Sequence, residues 1–128
     1  MFRFCTVLLF CLIFFNAVGE EQFNFNVTEI EIIENGNKFI GKKRGTITSK
    51  DNIVITANKF EYDKGLNILS VTGNVEINDS VNDYVIFSEK ATYNKKQEKI
   101  STEINSKAIN SKDNIVITAN KFEYDKGL

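Results

Sequence analysis

The chain has 128 residues, with 16 Lys and Arg against 17 Asp and Glu, and neither histidine nor proline. That length allows one domain, and a formal net charge of −1 leaves no basic face of the kind a nucleic-acid partner requires. The two cysteines, Cys5 and Cys11, lie close to the N-terminus, so the rest of the chain has no thiol, disulfide or soft-metal ligand. A catalytic site would have to work with carboxylates, Lys or Tyr alone, and neither an enzyme nor a bound cofactor or metal is expected.

Residues 1–19 read as a cleaved secretory signal. Met1 to Arg3 is a short basic start, Phe4 to Phe15 is apolar except for Thr6, and Ala17 and Gly19 place small residues before Glu20. Twelve residues fall short of the roughly 20 that span a bilayer core, so an uncleaved anchor is the lesser reading. Bulky Phe10 before Cys11 argues against a lipid-attachment site. Both cysteines leave with the signal, and residues 20–128 form the mature domain.

Phe23-Asn24-Phe25-Asn26-Val27 alternates apolar and polar residues, as does Ile30-Glu31-Ile32, the mark of half-buried strands. Asn35-Gly36 predicts a type I′ hairpin turn leading to Phe39 and Ile40. Lys42-Lys43-Arg44 is the one basic cluster, read as an exposed turn before Gly45-Thr46-Ile47.

Residues 49–66 then return letter for letter at 111–128, and midway, 31 residues from each, Tyr84 to Lys95 keeps five of the twelve residues from Ile53 to Lys64. A fixed period of this size signals a supersecondary unit stacked on copies of itself. Within the unit Ile53, Ile55 and Ala57 share one strand face, whereas Phe60 and Tyr62 have the opposite parity. Both sets reach one side only through a bulge or corner near Asn58-Lys59. The return runs by Leu69 and Val71 past Gly73 to Val75 and Ile77, with Asn78 to Asp83 as the next loop. In the third return Ile104 fills the position of Gly73, although Asn105 still matches Asn74, and a weaker strand is expected over 100–104. Leu128 falls where the earlier copy enters its return strand, which predicts a domain truncated at its C-terminus.

The fold class is therefore all-β, a sandwich, roll or open barrel built from bent hairpins of about 31 residues. Glu29 and Glu31 read as solvated charges, and 79–83 as a plain loop, since Tyr84 and Lys90 stand where a calcium loop needs Gly and Glu. The residues most able to carry function are the aligned apolar stripe. Ile53, Ile55, Phe60 and Tyr62 recur as Ile86, Ala91 and Tyr93 and again as Ile117, Phe122 and Tyr124, with Leu69, Val71, Val75 and Ile77 on the return. They form either a packed core or, where the layers splay, a trough for an extended hydrocarbon, in which each buried methylene stabilises by about 0.8 kcal/mol.

Ile-Thr-Ala-x-x-Phe-x-Tyr-Asp at 55–63, Gly-Asn-Val at 73–75 and the recurring aromatic or Ala before Tyr resemble the OstA-like domain of the lipopolysaccharide transport and assembly family, over residues 27–128. The resemblance implies an open β-jellyroll in the periplasm, associated with the outer membrane, that holds the acyl chains of lipopolysaccharide and passes the lipid toward the outer membrane. It also implies joining to other OstA-like domains through edge strands. The chain resembles either the periplasmic carrier or the N-terminal domain of the assembly protein, in which case an outer-membrane barrel would follow in cis. The rival reading is a secreted structural β-repeat module with a closed core, such as a surface or adhesion protein.

Overall fold

A computed structural model describes residues 22–125, which form ten antiparallel strands and one short 3-10 turn. The signal, both cysteines and residues 126–128 lie outside the described residues. The strands are β1 (Phe23–Asn26), β2 (Glu31–Ile33), β3 (Lys38–Gly41), β4 (Gly45–Ser49), β5 (Ile53–Ala57), β6 (Lys59–Asp63), β7 (Ile68–Asp79), β8 (Tyr84–Asn94), β9 (Lys99–Asn110) and β10 (Ile115–Asp125).

The long strands β7 to β10 pair in sequence order, and each passes through a bend. Residues 76–79 of β7 pair with β5, and residues 68–72 pair with β6. One layer thus runs β1-β4-β5 and on into one half of each long strand, while the other runs β2-β3-β6 and on into the opposite halves. The result is an open β-jellyroll: a sheet folded into a V, with its apolar residues between the arms.

The parity change read at Asn58-Lys59 is the apex of that V. The chain breaks pairing at Asn58, between β5 and β6, and Ile53, Ile55, Ala57, Phe60 and Tyr62 are all buried. Opposite the break, Gly73 and Asn74 take φ values of 85° and 46°, a bulge at which β7 also turns. The Asn58 N–H donates to the Gly73 carbonyl at 2.9 Å. Arg44 Nη1 donates to Asn58 Oδ1 at 2.8 Å and to the Asn74 carbonyl at 3.0 Å, so the basic cluster contributes a clamp for the bend as well as two exposed lysines. Further along the apex, buried Ser88 donates to the Glu103 carbonyl at 2.8 Å and buried Ser106 to the Asn120 carbonyl at 3.2 Å. These hydroxyls satisfy carbonyls that the interrupted ladder leaves over.

Asparagine content is explained at the turns. Asn52, Asn67 and Asn114 each precede a strand in the left-handed region, a conformation this side chain tolerates, and Asp83 and Glu98 fill the same place elsewhere. Asp63, Asp79 and Asn94 each accept, through a side-chain oxygen, the N–H three residues on. The Asp or Asn after the recurring tyrosine is therefore a turn former.

Two readings are corrected. The hairpin at Asn35-Gly36 is a four-residue loop closed by the Ile33 and Lys38 pair rather than a two-residue type I′ turn, with Glu34, Asn35 and Gly36 all at positive φ. The third return is a full strand from Lys99 to Asn110, because Ile104 and Asn105, at φ 69° and 52°, form its bulge and the strand resumes at Ser106.

Candidate functional site

The interior is built from rows of residues that the ladder registers place side by side. In one layer Phe25, Ile47, Ile55, Ile77, Ile86, Ala108 and Ile117 are successive partners. In the other, Phe39, Tyr62, Leu69, Tyr93, Ile100 and Tyr124 form one row, and Gly41, Phe60, Val71, Ala91, Thr102 and Phe122 the next. In the second layer Tyr62, Tyr93 and Tyr124 are separated by Leu69 and Ile100, so aliphatic side chains space these three rings across the ladder.

The two ends of the interior differ. At the β1 end, Phe23 and Phe25 reach from one layer into the other. The Phe23 ring lies 5.1 Å from that of Tyr62 and 5.5 Å from that of Tyr93, both edge-on. Phe25 lies 5.6 Å from Phe60, 5.7 Å from Phe39 and 5.7 Å from Tyr62. Each such pair contributes about 1 kcal/mol beyond the area it buries. Gly41 makes room for the Phe60 ring, which occupies the place a Cβ there would take. At the β10 end the interior positions are small or polar, with Ser88, Ala91, Thr102, Ser106 and Ala108, and the large residues there, Phe122 and Tyr124, are only partly buried.

The sequence-predicted stripe therefore falls into two groups. Ile53, Ile55, Phe60, Tyr62, Leu69, Val71, Val75, Ile77, Ile86, Ala91 and Tyr93 are buried in one cluster. Phe122 and Tyr124 pack against its margin, whereas Ile117 is 49% exposed. Phe23, Phe25, Ile47 and Ile100 belong to the same interior but were not among the predicted site residues. For Phe23 and Phe25 the signal was the alternation at 23–27, which shows a buried face but not what that face covers.

Polar groups at the rim tie the layers together. Tyr62 and Tyr93 each donate to the residue five positions on, Asn67 Oδ1 at 2.8 Å and Glu98 Oε1 at 3.2 Å. Tyr124 instead reaches across the interior to Asp79 Oδ2 at 2.8 Å, joining β10 to β7. Asp79 is buried and also accepts from the Asn82 backbone and side-chain amides. Burial, then the charge of Glu98, pushes the Tyr93 phenol above its ordinary pKa. Burial and the bond to Asp79 do the same for Tyr124. Lys95 is 7% exposed and pairs with Asp51 at 2.8 Å and Glu98 at 2.6 Å. Burial alone would lower its pKa, but the two carboxylates outweigh it and raise it. Among the described residues no group of three or more His, Cys, Asp or Glu converges in a way that could hold a metal ion.

No protein-family model matches the chain, and no curated protein matches it in sequence. A solved structure does match: the crystal structure of LptH from Pseudomonas aeruginosa, described as the LptA-homologous periplasmic component of the conserved lipopolysaccharide transport device. It superposes with a TM-score of 0.65 over 80% of this chain and 75% of that one, at 14% sequence identity. The two proteins share a fold. The β-jellyroll implied by the OstA-like resemblance is thus the one the chain adopts.

Proposed function

We propose that this chain is a periplasmic lipopolysaccharide-transport domain that shelters acyl chains between its two layers and passes the lipid toward the outer membrane, with no chemical turnover. The observation that supports this reading is the fold shared with LptH, in which all of the apolar stripe but half-exposed Ile117 is buried between the layers or packed at the margin. Acyl chains enter at the β10 end, along the rows that hold Ile86, Ala108 and Ile117 in one layer and Ala91, Thr102 and Phe122 in the other. There Ser88, Ala91, Thr102, Ser106 and Ala108 give the interior a small or polar lining. The β1 end, packed with Phe23 and Phe25, acts as a stop. Secretion by the signal at 1–19 delivers the domain to the periplasm, where edge strands join it to other domains of the same fold.

The test is photo-crosslinking to lipopolysaccharide from a probe placed in turn at Ala108, Phe122, Phe60 and Lys42 of the full chain. Adducts are expected at Ala108 and Phe122, fewer at Phe60 beneath Phe25, and none at exposed Lys42. The packed aromatic end favours one alternative, a structural module with a closed core. Absence of adducts at every site in a folded protein would establish that alternative.

A further inference from the structure

The interior has two long sides, the apex and the mouth of the V, and they are held differently. At the apex the ladder registers jump, from Thr72 opposite Lys90 to Val75 opposite Ser88 and from Glu103 opposite Lys121 to Ser106 opposite Ala119. A change in the angle between the layers is absorbed at these bulges and leaves the pairing within each arm intact. At the mouth each rim is stitched along its own length by backbone bonds between successive turns. On one rim Lys50 N–H donates to the Gln22 carbonyl at 3.0 Å and Ser111 N–H to that of Asp83 at 2.9 Å. On the other, Lys64 N–H donates to the Asn37 carbonyl at 2.8 Å and Lys95 N–H to that of Asn67 at 2.9 Å. Side chains then join rim to rim. Lys95, in the turn between β8 and β9, meets Asp51, in the turn between β4 and β5, at 2.8 Å across 44 residues. Tyr124 meets Asp79 at 2.8 Å across 45 residues, and its ring lies 5.4 Å from that of Tyr84. With Tyr62 and Tyr93 against Phe23, the recurring tyrosine stands at the mouth in every unit.

We propose that the domain is a hinged clamp: its apex flexes, its mouth is held shut by a latch made of Lys95 on Asp51 and Tyr124 on Asp79, and a ligand reaches the interior when the latch releases. The last clause rests on the transport reading, and the hinge and latch do not. The chemistry of the Lys95 contact suits repeated release. Its ammonium is buried between Asp51 and Glu98, whose side chains stay 33% and 31% exposed. As the rims part, water takes over the carboxylates and the ammonium recovers its hydration, which offsets much of the lost attraction. The pair therefore fixes where the rims meet more than how tightly they are held. Glu98 lies in the same turn as Lys95, at 2.6 Å, so it travels with the ammonium and keeps it aimed at Asp51 while the mouth is open. Each rim moves as one body because its turns are stitched, so the Lys95 and Tyr124 bonds, on one rim, release together from Asp51 and Asp79 on the other.

The test uses the full chain with Cys5 and Cys11 replaced by serine. Spin labels on Lys50→Cys and Lys96→Cys, exposed positions next to Asp51 and Lys95 on the two rims, report the width of the mouth by pulsed electron paramagnetic resonance. A second pair, Lys43→Cys and Glu89→Cys, reports the apex. Asp51→Asn with Glu98→Gln leaves the Lys95 charge buried and unmatched when the mouth is shut, so the wide-mouth population should rise at least roughly tenfold while the apex separation holds. Tyr124→Phe should widen the mouth in the same sense by a smaller factor. A mouth separation unchanged in both variants, with the circular dichroism spectrum also unchanged, overturns the proposal. So does equal broadening of the mouth and apex pairs, which would mean that the whole sheet loosens. The two rim cysteines joined by a reducible bismaleimide hold the mouth shut. Lipopolysaccharide adducts from a probe at Ala108 should then be lost, and should return on reduction; adducts indifferent to the staple overturn the mouth as the entrance. No adducts in an unstapled chain whose mouth widens would remove the transport reading alone and leave the clamp standing.

Discussion

Replacing Ile104 by glycine should make the protein more stable, although it deletes an apolar side chain. Ile104 is a β-branched residue at φ 69°, where Cβ crowds the carbonyl, at a cost of roughly 1–2 kcal/mol that branching holds near the upper value. Its side chain is 54% exposed, and real denatured chains already bury part of their apolar surface, so the burial lost is worth only a few tenths of a kcal/mol. The added freedom of glycine in the unfolded chain costs about 0.7 kcal/mol. The balance is a gain of about 1 kcal/mol, or a melting temperature higher by about 4 °C for a domain of this size. Urea unfolding followed by circular dichroism measures it, as a higher midpoint at constant slope. Gly73→Ile is the mirror experiment and should cost about 3 kcal/mol. It imports the same strain and sets a Cβ 2.7 Å from Asn58 Nδ2, disturbing the clamp made by Arg44. A lower midpoint for Ile104→Gly would refute the assignment of strain to this bulge.

Four further outcomes are expected. Gly41→Ala should destabilise by about 2 kcal/mol or more, since its methyl group and the Phe60 ring claim the same space; calorimetry checks this, and Phe60→Leu should partly rescue it. Tyr124→Phe should lose about 1.5 kcal/mol in urea titrations, the worth of a bond to a buried carboxylate, and should raise crosslinking at Phe122 by freeing β10 from Asp79. The Asp51→Asn, Glu98→Gln double variant should lose about 3 kcal/mol, because buried Lys95 keeps its charge and loses both counter-ions. Stability should also fall with rising pH. Lys95, Tyr93 and Tyr124 all have raised folded-state pKa values, so their contribution is complete below the ordinary values of 10.0 and 10.5 and disappears as pH climbs through the folded ones. Asp63, lowered chiefly by the Leu66 N–H, acts in the opposite sense, its contribution being lost as pH falls below 3.8. Urea midpoints across the pH range would show both flanks.

Much of this was legible in the sequence because repeats expose parity. The switch between Ala57 and Phe60 predicted a bend before any contact was known, and it is the apex of the V. The position shared by Gly73 and Ile104 was visible as a pattern with one deviation, and both residues are bulges. Sequence could not separate the aromatic end of the interior from the end lined by small and polar residues. Periodicity states that Phe23 and Phe25 have a buried face, but their partners, Tyr62, Tyr93 and Phe60, are 35 to 70 residues away and belong to the other layer. Nor could it predict that Tyr124 reaches Asp79, because its two counterparts bond locally within their own turns.

The exact copy is instructive because composition is held constant while environment changes. Ile55 and Ile117 have identical neighbours in sequence, yet one is sealed and the other half exposed, so burial here is set by position in the stack rather than by local preference. That difference gives the sheet a direction. Among the described residues the edge strands at one end are four and three residues long, and Phe23 and Phe25 are drawn inward there; short edge strands of this kind resist further pairing. At the other end β10 offers eleven residues in extended register with three consecutive exposed apolar side chains. The interior at the same end is lined by Ser88, Ala91, Thr102, Ser106 and Ala108, so the half-exposed strand and the small or polar lining coincide. Tyr124 ties that strand to the other arm of the V, through its 2.8 Å bond to Asp79.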